Sequence, residues 1–146
     1  MRCSGDPRAR LLHWVALYDP VAKVAGLLHF MLPDSSLDFD AAARRPFLFA
    51  DTGIPMLLQS TGQLGALGSR LLVMVAGGAQ MLDPNGTFNI GHRNEIAMRE
   101  VFWNVGVVVS KKETGGTGSR MMKIDVDRGR VQLSTSGGIE HEMLAN

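Results

Sequence analysis

The chain has 146 residues, is 45% hydrophobic and 20% charged, and carries a net charge of +1, as expected of one soluble domain with a core of its own. Acids and bases are mixed along its length and no apolar run approaches the ~20 residues of a bilayer span, which argues against nucleic-acid binding and membrane insertion. The single cysteine, Cys3, excludes an intrachain disulfide and a multi-thiolate zinc site.

Residues 1–14 show no regular apolar pattern. Asp6-Pro7 breaks structure, and Arg8 and Arg10 keep any apolar periodicity from developing before Leu11. The opening Met1–Asp6 lacks the apolar segment of a signal peptide, so a reducing cytoplasm is the expected compartment. From Trp14 to Tyr18 the residues suit a strand, ended by Asp19-Pro20. A turn over Val21–Lys23 leads into Gly26–Leu32, an apolar run with one imidazole, His29, closed by Pro33-Asp34-Ser35. Together they predict a hairpin that delivers His29 to the edge of a loop.

Asp34–Pro46, with Ser35-Ser36, Asp38, Asp40 and Arg44-Arg45, reads as a polar surface loop. A helix is expected from Asp51-Thr52, with Ile54, Leu57, Leu58, Thr61 and Leu64 at three-to-four spacing, fading at Gly65 or Gly68. Pro55 is acceptable in its first turn. Leu71–Ala76 is a continuous apolar run ended by Gly77-Gly78, as in a strand covered on both faces. Asp83-Pro84-Asn85-Gly86 is a strong turn signal.

A second helix starts near Gly91–Asn94, turns Ile96, Val101 and Phe102 inward, and ends at Asn104-Val105-Gly106. Val107–Ser110 reads as another buried strand, Glu113–Ser119 as a glycine-rich loop, and Met121–Val126 with Arg130–Ser134 as a hairpin across Asp127-Arg128-Gly129. The order predicts one mixed α/β domain over residues 1–146 with no linker.

Chemistry-bearing residues are few. A histidine in an apolar strand is more often a satisfied core residue than a catalytic one, so His29 alone leaves both readings open. His92, beside Arg93, and His141, between two glutamates, read as surface residues, and no histidine spacing makes a metal motif. Gly115-Gly116-Thr117-Gly118-Ser119 has no lysine in place for a phosphate-binding loop. Neither a metal nor a cofactor is expected.

Ordered blocks of residues carry more weight than any one of these. They are Leu17-Tyr18-Asp19-Pro20, His29 with Met31-Leu32-Pro33-Asp34, and Ala50-Asp51-Thr52 with Ile54-Pro55. Further along stand Val75–Ala79, Asn89-Ile90-Gly91 with Arg93-Asn94, Glu113 with Gly115-Gly116 and Arg120, and Asp125 with Gly129. In order and spacing, from about Val15 to near Gly138, the chain resembles the CheD family of chemoreceptor glutamine deamidases. The resemblance implies a cysteine-hydrolase fold of mixed β-sheets flanked by helices. It implies an amidohydrolase that converts glutamines of chemoreceptor cytoplasmic domains to glutamate, with a CheC-type phosphatase as a further partner. By position, His29 matches the family's histidine, the general base and acid.

The rest of the family's machinery is substituted. Its cysteine stands in a Leu-Gly-Ser-Cys segment, 17 residues before the histidine, which falls on Leu12; its threonine, six positions earlier, falls on Asp6. A leucine cannot be deprotonated or attack a carbonyl. Cys3 stands nine residues further upstream, a poor replacement. The chain as written is therefore expected to be impaired, and a catalytically inactive module that binds chemoreceptors or a CheC-type phosphatase is the alternative reading.

One permitted choice of codons would trace both substitutions to a reading-frame slip. Arg8–Trp14 encoded as CGC GCT CGG CTC CTG CAT TGG and read one base later gives Ala-Leu-Gly-Ser-Cys-Ile-Gly, with the cysteine over Leu12. The same shift turns GAC CCG, for Asp6-Pro7, into a codon for threonine over Asp6. Residues 1–14 thus read as out of frame, through a sequencing error or an inactivating lesion. The gene decides the matter: codon 12 is expected to be CTG or TTG, and any other leucine codon overturns the idea.

Overall fold

The computed structural model describes residues 13–77, 90–114, 120–135 and 140–144. Two strands open it, β1 (His13–Asp19) and β2 (Val24–Phe30), antiparallel as expected, with Lys23 at φ 53° in the turn between them. Helices α1 (Phe39–Arg44) and α2 (Ala50–Gln63) come next, then β3 (Leu72–Gly77), α3 (Ile90–Val105) and β4 (Lys111–Thr114). The chain ends in β5 (Arg120–Asp125), β6 (Arg130–Thr135) and β7 (Glu140–Leu144). Sheet order is β2-β1-β3-β4 in one sheet and β5-β6-β7 in the other, with β3 and β4 parallel and the remaining pairs antiparallel.

Successive side chains of a strand point to opposite faces, and this parity sorts the core into two clusters. Val15, Leu17, Leu28, Phe30, Val73 and Val75 join Ile54 of α2 and Met98 and Phe102 of α3 on one face of the first sheet. Ala16, Tyr18, Met74 and Ala76 meet Met122, Val131, Leu133 and Met143 of the second sheet on the other. The result is an α+β domain of three layers: helices, four-stranded sheet, three-stranded sheet. This is the mixed-sheet architecture with flanking helices that the sequence predicts. The helices cover one face of the first sheet, and the second sheet covers the other.

Several local expectations change. Asp34–Pro46 is not a plain loop: it holds a 3-10 turn, Ser35–Leu37, then α1, and leads into a second 3-10 turn, Pro46–Leu48. Short polar side chains make these turns. Asp34 accepts from Ser36 N, and Asp38 caps α1 by accepting from Ala41 N. Asp51 then fastens the segment to α2 by accepting from the backbone N (3.0 Å) and hydroxyl (2.7 Å) of Ser35.

The strand expected at Val107–Ser110 lies further on, at Lys111–Thr114. Val108 is 80% exposed, and only Val107 and Val109 touch the core. Leu64 is exposed as well, because α2 ends one residue earlier. The third strand of the second sheet, β7, is not marked by any strand pattern in the sequence. The turn expected at Asp83–Gly86 and the glycine-rich stretch 115–119 lie outside the described residues.

At the far end of β1, the enclosed Asp19 carboxylate closes the hairpin by accepting from Val21 N and Ala22 N, and reaches across to Leu67 N and the Arg70 guanidinium (2.8 Å). The Arg70 contact holds its pKa well below the usual carboxylate range, against the opposing effect of burial. Its stabilising effect holds above the ordinary carboxyl pKa and fades as pH falls through the lower folded value.

Gly26 lets α2 lie directly on β2. A Cβ built there would come within 2.7 Å of Leu57 Cδ1 and 2.8 Å of Thr61 Cγ2. Thr61 is branched at Cβ and buried, its hydroxyl bonded to the carbonyls of Leu57 and Leu58, so it has little freedom to give way. Gly26→Ala is expected to destabilise the fold by about 1–3 kcal/mol through overpacking, measured by urea denaturation. An unchanged midpoint would show that α2 is not seated against β2 in this way.

Candidate active site

His29 is the last residue but one of β2, on the edge of the first sheet, and its parity with Leu27 and Ala25 sends it toward the second-sheet side. Directly across the ladder is Trp14. Their rings stack with centroids 3.7 Å apart and planes within 11°. The indole is itself fixed, because Trp14 Nε1 donates to the carbonyl of Arg120 on β5 at 2.9 Å. His29 Nε2 is buried and has no hydrogen-bond partner among the described residues.

Burial draws the His29 pKa down from 6.5 to about 4. A cation gains from an aromatic face, by roughly 0.5–2 kcal/mol, and the indole therefore opposes the shift. Loss of water around the ring outweighs that attraction. The imidazole is neutral at pH 7 and able to accept a proton.

On the other face of β1, His13 stacks on Phe30 at 5.3 Å and is fully buried. Beyond it, Glu95 of α3 pairs with Lys112 of β4. Burial pushes the Glu95 carboxyl up, but Lys112, Thr114 and His13 together bring it net below its usual value. Asn94 ties α3 to the exit of β2 by donating to Met31 O at 2.8 Å.

A groove of about 360 Å³ runs along that exit, lined by Pro33, Asp34, Asp51 and the α3 residues Arg93, Ile96, Ala97, Glu100, Val101 and Asn104. Hydrogen bonds from Ser36 hold the Asp34 carboxyl below its usual pKa, with a smaller contribution from Arg93.

Of the residues that the sequence marks as chemical, the structure describes His29 and shows it half-buried. Leu12, Asp6 and Cys3 lie outside the described residues, so no pairing of His29 with them is on view. His92 is exposed, as expected. Apolar patterning marks Trp14 only as a strand residue, although a further signal is present: closing the turn between Asp19 and Val24 fixes the ladder and sets position 14 opposite position 29. Among the described residues no group of three or more His, Cys, Asp or Glu is placed to hold a metal ion, and no helix is long and apolar enough to cross a membrane.

Fold and site define a two-sheet α+β domain with a half-buried imidazole, His29, at the edge of its four-stranded sheet. The family model described as CheD chemotactic sensory transduction matches residues 31–135, and the chain belongs to the CheD family. Among curated relatives, a probable chemoreceptor glutamine deamidase CheD 1 of Syntrophus aciditrophicus is 45% identical over 129 residues, 88% of this chain and 81% of its own. A probable chemoreceptor glutamine deamidase CheD of Solibacter usitatus is 42% identical over 84% of this chain and 73% of its own. A third, CheD 2 of Anaeromyxobacter dehalogenans, is 38% identical over 90% of this chain and 87% of its own.

The pH dependence of stability tests the burial of His29. Between pH 6.5 and 4 the unfolded imidazole takes up a proton that the folded one refuses, so stability falls as the pH is lowered through this window. His29→Gln is expected to remove that part of the slope in urea melts at pH 7, 6 and 5. A His29 ring that titrates near 6.5 by NMR would contradict the burial.

Proposed function

We propose that this chain is a chemoreceptor glutamine deamidase, as its relatives are named, with the reaction run between His29 and a nucleophile at position 12. The observation that carries the reading is the family match over residues 31–135 together with relatives 45% and 42% identical across most of both chains. His29 is neutral at pH 7, as a general base must be, although burial weakens it as a base.

The chemistry is dictated by the substrate. A primary amide is a weak electrophile, so the attacking group is a thiolate, produced as the imidazole takes the thiol proton. Sulfur bonds to the amide carbon, His29 returns the proton to the departing ammonia, and a thioester remains. The imidazole then takes a proton from water, whose oxygen displaces the sulfur and leaves glutamate and the free thiol. Backbone N–H groups near the nucleophile would hold the oxyanion in both steps. The receptor's cytoplasmic part is the substrate, which places the reaction in the cytoplasm.

Leu12 and Asp6, at the positions of the family's cysteine and threonine, leave the chain as written without its nucleophile. Leu12 is also what favours a second reading, that this product binds a chemoreceptor or a CheC-type phosphatase without turnover. Incubation with chemoreceptor cytoplasmic fragments, with ammonia release and mass spectrometry of glutamine peptides as readouts, separates the two. The chain as written is expected to be inactive and the Asp6→Thr/Leu12→Cys variant to gain activity. Adding His29→Gln to that variant is expected to lower the rate by about 10²–10⁴-fold. Activity that survives His29→Gln would remove His29 from the reaction.

A further inference from the structure

We propose that Trp14 is a plug over His29: its indole fills the approach to the imidazole, so the ring at position 14 blocks the site independently of the missing nucleophile. This rests on the deamidase reading for its functional meaning, but the plug itself is a statement about access.

Three observations carry it. The stack at 3.7 Å and 11° leaves no room for a substrate amide or a sulfur on that face of the ring. The indole is held at two points, by the strand register that sets Trp14 opposite His29 and by its hydrogen bond to Arg120 O. Swinging aside would break the second of these. Finally, His29 Nε2 is enclosed and bonded to nothing among the described residues. Proton transfer needs a ring nitrogen within hydrogen-bond reach of the reacting group or of one intervening water, and Nε2 has no such access.

The shifted frame points the same way. Where it restores cysteine over Leu12, it also writes glycine over Trp14. Glycine has no side chain to lay over His29, and the face now covered by indole would be open. A slip of that kind would remove the nucleophile and supply the obstruction together.

Access is measured with diethyl pyrocarbonate at pH 7, mapping modified histidines by mass spectrometry and using the exposed His92 as the internal standard. Because the His29 pKa is about 4, the ring is neutral at this pH and slow modification reports access rather than charge. In the native chain His29 is expected to react at least about tenfold more slowly than His92. That ratio needs no variant, and equal rates overturn the plug. In Trp14→Gly, and in Trp14→Val, which keeps a strand-forming side chain, the two rates are expected to converge. No acceleration in either folded variant overturns the plug as well.

The assay with chemoreceptor fragments distinguishes the plug from the function. In the Asp6→Thr/Leu12→Cys background, replacing Trp14 is expected to raise deamidation at least about tenfold. Equal ammonia release with and without Trp14 overturns the plug while upholding the deamidase. Modification that opens on removal of Trp14, with no ammonia from any variant, upholds the plug and counts against the deamidase.

Discussion

The alternation of side chains along β1 is the constraint on which the other features depend. Because β1 lies inside the first sheet, covered by helices on one face and by the second sheet on the other, every residue from Val15 to Asp19 is buried. A shift of one residue would turn Val15 and Leu17 toward β5 and β6, and Ala16 and Tyr18 toward α2 and α3, so the register has little freedom. That same register sets Trp14 against His29. The pairing of these two positions is thus a by-product of core packing at Val15–Tyr18.

Asp19 and Gly26 secure the two sides of this arrangement. The carboxylate fixes the turn that ends β1 and fastens it to the α2–β3 connection, while the glycine brings α2 onto β2. Both stand on the hairpin that carries His29. The imidazole is thus carried by a hairpin tied to α2 and to the α2–β3 connection. The groove beside α3 is closed on its other side by Pro33, Asp34 and Asp51.

Much of the fold is legible in the sequence because β1 and β3 are buried on both faces and the long helices on one. β1, β2, α2, β3, α3 and the β5–β6 hairpin each announce themselves through apolar periodicity and turn residues. The failures have physical causes. Val107–Ser110 is apolar enough for a strand, yet the parallel ladder with β3 forms one step later, where Lys111 and Lys112 sit at an exposed sheet edge that apolar patterning does not mark. The turns between Asp34 and Arg44 rest on hydrogen bonds to Asp side chains, which look the same in sequence whether the segment is ordered or not. Of the site, His29 is readable from the motif blocks around it. Its burial beneath Trp14 is not, because the contact depends on which residues face each other across the ladder.

The sheet order carries a kinetic consequence. β1 leaves the ribosome well before β3, one of its two neighbours, which lies more than fifty residues later in the chain. The β1–β2 hairpin closes early and locally, but the β1–β3 ladder and the parallel β3–β4 pair wait for distant segments, which slows the search for the native state. During synthesis one edge of β1 stays unpaired until Leu72–Gly77 emerges, which leaves the strand that carries Val15, Leu17 and Tyr18 open to wrong pairing in the meantime.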